Sequence, residues 1–162
     1  MARFPKDQLL LPTLIDRLID EGPAGSTSPH GEGLSLRGLK EGVRRDLENL
    51  LNTRRRWAPW PAEYEELDQS LFNYGIPDFT GMNASSSDNV HQFLRTIEAV
   101  IRRFEPRFKS VQVSLPDDLD EEDRTLRFRI EGLLHAEPMP EPATFETEME
   151  AGTGAFEVQS TG

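Results

Sequence analysis

The stretch from Val90 to Leu115, "VHQFLRTIEAVIRRFEPRFKSVQVSL", changes its apolar period in the middle. Up to Phe104, the residues Val90, Phe93, Leu94, Ile97, Val100, Ile101 and Phe104 recur every three or four positions, which is one stripe of a helix. Ser87 or Asp88 stands where a cap is expected. Pro106 disfavours helical geometry at Glu105, so the helix should stop at Phe104 or Glu105. Beyond it Val111, Val113 and Leu115 alternate with polar residues, as in a strand buried on one face. A long helix that enters a strand across a proline points to an α+β fold.

The flanking sequence extends this pattern. Leu126, Phe128 and Ile130 alternate with Arg127, Arg129 and Glu131, after the acidic loop "PDDLDEED" (116–123). Past the proline-rich connection "AEPMPEP" (136–142), Phe145, Thr147 and Met149 alternate again. "AGTG" (151–154) supplies a turn, and Phe156 with Val158 closes a second hairpin. Upstream, Ser35 is placed to cap a first long helix carrying Leu36, Leu39, Val43, Leu47, Leu50 and Leu51 at steps of three and four. The expected fold is α+β: two main helices on a small antiparallel sheet of three to four strands, with a tethered N-terminal segment.

Composition agrees with one domain. Of 162 residues, 40 are Leu, Ile, Val or Phe, above the roughly 20% below which chains stay disordered. The sequence divides into an N-terminal segment (1–21), a Gly-, Pro- and Ser-rich linker "GPAGSTSPHGEG" (22–33) and the domain (34–162). In the first segment Leu14, Ile15, Leu18 and Ile19 fall at helical spacing. On a flexible leash it is either a docking peptide or a cover over its own core. In 57–89, Trp57, Trp60, Tyr64, Phe72 and Tyr74 are expected to anchor a long connection to the core.

Charge excludes some partners. The net charge of −11 is uneven: residues 1–60 carry +10 and −8, and residues 114–162 carry +3 and −13. Nucleic acid is not an expected partner, because neutralising phosphates needs a basic surface. There is no cysteine, hence no disulfide or thiolate metal site. No apolar run has the ~20 residues of a membrane span, so the expectation is a soluble, cytoplasmic chain without direct membrane insertion.

The residues offer little to an enzyme. His30, His91 and His135 have no i, i+4 metal spacing, and no nucleophile elbow or phosphate loop appears. Among 29 acids some pair always looks catalytic, so abundance decides nothing. Glu105 alone has an unusual setting, yet Arg107 beside it favours the charged carboxylate, whereas a general acid must hold its proton. No catalytic residue, cofactor or metal is expected. Glu105-Pro106-Arg107 stays open to three readings: an acid with its partner, a local ion pair closing the helix, or a binding point for another protein. The cluster Arg44, Arg45, Arg54, Arg55 and Arg56 is explained in part by the dipole at a helix end; a partner surface is the other reading.

Five pieces in order carry a resemblance: "LLPTLIDRLID" (10–20), "VRRDLENLLNTRR" (43–55), "SLFNYGIPDFTG" (70–81), "IEAVIRRFEPRF" (97–108) and "FETEMEAGTGAFEV" (145–158). The chain resembles the TssE family of type VI secretion baseplate subunits, itself similar to a wedge protein of contractile phage tail baseplates that has carried a lysozyme-like label. The resemblance implies a structural subunit, with peptidoglycan hydrolysis as the alternative. It implies TssF, TssG and TssK as baseplate partners, a sheath of TssB and TssC built on the sheet, and a baseplate docked at the inner membrane. The implied partner-binding residues are Glu105, Pro106 and Arg107, whose side chains two apart should project together. To these the residues add Arg44, Arg45, Arg54 and Arg55, the docking element Leu14, Asp16, Arg17 and Leu18, and Phe156 and Val158 on the terminal hairpin. That hairpin is expected to accept a sheath strand, with Glu146, Glu148, Glu150 and Glu157 repelling self-pairing.

Overall fold

Leu39, Val43, Leu47, Leu50 and Leu51 lie along one face of helix α1 (Leu36–Asn52) and are all buried. The structure, a computed structural model, describes residues 36–56, 59–79, 86–116, 126–136, 139–150 and 153–161. The expected N-terminal segment, the linker, Ser35 and most of the acidic loop lie outside these residues.

A short helix α2 (Glu66–Gln69) and a 3-10 turn (Leu71–Asn73) follow, then helix α3 (Ser87–Phe104). Its N-cap position is Ser86, one residue before the expected caps, and no side chain bonds there; the helix is held instead by its buried stripe. The C-terminal boundary falls at Phe104 as Pro106 requires.

Strands β1 (Phe108–Ser114), β2 (Leu126–Leu134), β3 (Glu141–Met149) and β4 (Phe156–Ser160) form one antiparallel meander in the order β1-β2-β3-β4. The expected α+β class holds, with four strands. Phe128, Ile130, Phe145, Phe156 and Val158 face the helices and are buried. The core is an aromatic lattice there: Phe93 meets Phe79, Phe128 and Phe156 at centroid distances of 4.6, 5.8 and 6.4 Å.

The opposite face of the sheet is charged. Arg129 stands across from Glu146 and Arg127 across from Glu148, with ion pairs at 2.7 and 3.5 Å. Two of the acids expected to repel an incoming strand are therefore already paired.

Two strands are longer than the alternation indicated. β2 continues through Gly132 opposite a bulge between Phe108 and Ser110, where any Cβ would run into the Ser110 carbonyl and the Phe108 ring. β3 begins at Glu141, inside the proline-rich stretch. Pro142 is tolerated because it shares the parity of Thr144, whose carbonyl accepts from Thr161 N at 3.0 Å beyond the end of β4. Its missing N–H thus faces a side with no ladder left to break.

The connection between α1 and α3 is pinned to the end of α1. Ile76 N donates to Thr53 O at 2.9 Å and Arg55 N to Ile76 O at 2.8 Å. Gly75 has φ +103 and packs on the Thr53 carbonyl, a position only glycine fits without strain. Tyr74 packs on Phe104 at 5.4 Å, as an anchor should. The expectation fails for Tyr64 and Phe72, which are 56% and 48% exposed. Trp57 lies outside the described residues.

Candidate functional site

The turn that ends α3 ties three elements together. Glu105 takes the C-cap position and donates its N–H to Ile101 O at 2.9 Å. Pro106 and Arg107 then turn the chain, Phe108 N donating to Glu105 O at 3.2 Å and His135 N to Arg107 O at 2.8 Å. The turn therefore sits on the end of β2 as well as between α3 and β1.

Glu105 is 5% exposed, and a carboxylate so buried needs a charged partner. Arg107 supplies it through a fork: Nε donates to Oε1 at 2.7 Å and Nη2 to Oε2. The Arg107 backbone N–H adds a third bond to Oε1 at 3.2 Å. The same Nη2 reaches Asp46 Oδ2 on α1, and Asp46 Oδ1 accepts from Arg45 Nε at 3.3 Å. Burial works to lower the Arg107 pKa, but hydrogen bonding and charge from Glu105, then from Asp46, outweigh it and raise the value above the usual arginine range. Burial, then the charges of Asp46 and Glu105, likewise push the nearby Tyr74 phenol upward. Arg107 Nη1 is buried and has no acceptor among the described residues.

Chemically this is a clasp, not an acid–base pair. Both Glu105 oxygens accept from the guanidinium, and Asp46 is held by two arginines. The two side chains do project together, as expected from their spacing, but toward each other and α1. Sequence reasoning missed Asp46, which lies 61 positions from Arg107 with no local signal to join them.

The remaining predicted residues separate into groups. Arg44 bonds Glu41 at 2.7 Å, Glu48, and the Val158 carbonyl at 3.2 Å. The hydrogen bond from Glu41 leads the causes that raise its pKa, against the lowering effect of burial. Arg54 bonds Leu51 O at 2.9 Å and Gly154 O at 2.8 Å, and lies 5.7 Å from the Phe156 ring centroid. Arg55 is exposed and lines a cleft apart from the clasp. Leu14, Asp16, Arg17 and Leu18 lie outside the described residues.

Phe156 and Val158 have buried side chains, and their outward backbone edge is occupied. Asn52 Nδ2 donates to Phe156 O at 2.8 Å while Phe156 N donates to Asn52 Oδ1 at 2.9 Å. One carboxamide thus stands where the peptide of an adjacent strand would be. The β1 edge has a looser equivalent on α3: Val113 N donates to Glu98 at 3.3 Å and Arg102 to Val111 O at 3.5 Å. Asn52 and Glu98 were not foreseen as edge caps.

Among the described residues no three His, Asp or Glu side chains converge as a metal site, and no helix is long and apolar enough to cross a membrane.

Three comparisons bear on identity. The profile of a family described as "Baseplate wedge protein gp25" matches residues 37–139. The chain is 29% identical over 136 residues to "Anti-adapter protein IraD" of Salmonella arizonae, covering 82% of this chain and 90% of that protein. The protein of the same description from Salmonella paratyphi A is 31% identical over 127 residues, covering 78% and 82%. A chain in the solved structure "The baseplate complex from the type VI secretion system" superposes with a TM-score of 0.46 at 17% identity, over 70% of this chain and 96% of that one.

Proposed function

We propose, since the chain belongs to the family of the baseplate wedge protein gp25, that it is a structural, non-enzymatic subunit of a type VI secretion baseplate. In this reading it enters a wedge with TssF and TssG, is joined to TssK, and works in the cytoplasm on a baseplate docked at the inner membrane. The sheath of TssB and TssC attaches through its sheet. The carrying observation is the family match over 37–139, which spans all but the first residue of α1, the Glu105-Pro106-Arg107 turn and all of β2.

The clasp supports this reading because a turn fixed by Arg107 and Asp46 loses little entropy when a partner grips it. Glu105, Pro106, Arg107, Arg45 and Arg55 are the proposed contacts of the domain. Leu14, Asp16, Arg17 and Leu18 form a separate docking element. Phe156 and Val158 lie on the strand that pairs with the sheath, and Arg44 and Arg54 act through the edge they hold.

Co-expression with TssF and TssG tests the reading: a stable complex is expected, and a folded chain that never co-purifies refutes it. Val158→Pro tests the sheath role. The Val158 carbonyl accepts from Arg44, so its N–H also faces outward, and proline removes that donor without breaking the β3 ladder. Wedges should assemble on this variant without sheath elongation; normal sheaths would rule β4 out. Muramidase turnover abolished by Glu105→Gln would replace the structural reading with the hydrolase.

The match to the anti-adapter proteins, 31% identical over 127 residues in one case, favours a second reading as a protein that binds an adapter. Retention of an adapter protein, with no TssF or TssG, would select it.

A further inference from the structure

The end of α1, the connection after it and the end of α3 enclose a cleft of about 350 Å3 lined by Arg55, Arg56, Arg103, Trp60, Asp68 and Asn73. Arg55 and Arg56 are exposed, and neither has an acidic partner among the described residues. Among the described residues Arg103 Nη1 donates only to the Asp68 carbonyl, at 3.1 Å. The cleft lining therefore carries three arginines and one acidic residue, Asp68. Asn73 is 3% exposed; its Nδ2 donates to Asp68 O at 2.9 Å, and its buried Oδ1 has no donor among the described residues. Asn73 thus lines the cleft with a side chain held by Asp68.

Beside the cleft is an apolar rim that the protein leaves uncovered. Trp60 meets Phe72 edge-on at 5.9 Å, and Leu71 and Phe72 are 84% and 48% exposed. Arginine and tryptophan beside exposed apolar side chains are the composition of protein contact centres rather than of solvated surface.

We infer that this cleft docks an acidic, aliphatic segment of a partner protein. Its carboxylates pair with Arg55, Arg56 and Arg103, and its aliphatic side chains cover Phe72 and Leu71. The acids must lie on one side only. Glu63 and Glu65 on the turn leading into α2 and Glu66 at its start, all exposed, repel a chain that is acidic all round. The inference shares Arg55 with the baseplate reading but uses neither the Glu105–Arg107 clasp nor the sheet edges, so peptide binding by the pure chain and co-purification with TssF and TssG can fail separately.

The test is fluorescence polarisation with the full chain and a fluorescein-labelled peptide of sequence EDLEDLLE. Binding with Kd on the order of 10–100 μM is expected at low salt, weakening as salt rises. Arg55→Glu with Arg56→Glu should weaken it at least about tenfold, as should replacing the peptide acids by Gln and Asn. An octaglutamate peptide should bind more weakly than the leucine-bearing probe. Both arginines are exposed, so circular dichroism of the double variant should be unchanged. Equal binding by the double variant, equal binding of the neutral peptide, or no binding up to about 1 mM would overturn the proposal.

Discussion

Replacing Arg107 by methionine isolates what the clasp contributes to the fold. The substitution keeps the aliphatic stem but removes every side-chain donor to Glu105, whose side chain is 6% exposed against 15% for Arg107. Breaking a buried ion pair at one partner costs about 3–5 kcal/mol, because the other charge stays desolvated. Asp46 softens the loss, since it is 21% exposed and keeps Arg45. We therefore expect about 3 kcal/mol, a large part of a typical domain stability of roughly 5–15 kcal/mol. The double variant Glu105→Gln with Arg107→Met removes the stranded charge as well and should recover about 2 kcal/mol of that loss. Urea denaturation followed by far-ultraviolet circular dichroism measures both, with the m value unchanged if only stability moves. An Arg107→Met chain within about 0.5 kcal/mol of the parent would refute the burial argument, as would strict additivity in the cycle. Because the same residues are proposed to meet TssF and TssG, co-purification of Arg107→Met should be measured well below its melting temperature. Loss of binding by a fully folded variant then reports the partner contact rather than unfolding.

Asn52→Ala leaves both backbone groups of Phe156 without their carboxamide partner and should cost about 1–2 kcal/mol, with faster hydrogen exchange at the Phe156 amide as the local readout. Tyr74 has a folded pKa raised above its ordinary value of 10.0, so its contribution to stability is fully present below about pH 10 and is lost as pH rises through the folded value. Tyrosinate absorbance lost in Tyr74→Phe should accordingly belong to a group that ionises above pH 10, and the same variant should flatten the alkaline loss of stability. Deleting residues 1–21 should spare the melting temperature of the domain while weakening baseplate assembly; a large fall in melting temperature would make that segment part of the core.

What the sequence disclosed depended on distance along the chain. The helix stop at Phe104 and the switch of period after Pro106 are local effects of proline and side-chain alternation, and both appear in the structure. β3 was partly hidden because three prolines closely precede Phe145, and only the early end of β4 explains why Pro142 fits. The aromatic connection shows a different limit. Apolar character says that Phe72 and Tyr64 gain by burial, but not whether their own domain or a partner covers them. The stretches "VRRDLENLLNTRR" and "IEAVIRRFEPRF" hold Asp46 and Arg107 in plain view, yet their contact depends on how α1 packs beside the turn. Asn52 was equally opaque: it is the last residue of α1 and works as a substitute strand for a residue 104 positions away.

The two sheet edges are unequal, and this bears on where a strand can be added. A four-stranded meander has two open edges, each with a row of donors and acceptors that would recruit other chains. Here each helix covers one of them. On β4, α1 and the residues after it hold Phe156 N, Phe156 O, Val158 O and Gly154 O at 2.9, 2.8, 3.2 and 2.8 Å. On β1, α3 holds Val113 N and Val111 O at 3.3 and 3.5 Å, the latter at the limit of a hydrogen bond. A strand arriving at β4 must displace Asn52, Arg44 and Arg54, and it replaces their bonds one for one, so the net gain per bond is small. One arriving at β1 meets weaker caps and gains more for each bond it makes. Addition at β4 therefore requires a sheath strand whose side chains also win apolar contact, because backbone pairing alone nearly cancels there. A strand that binds through its backbone alone would take β1.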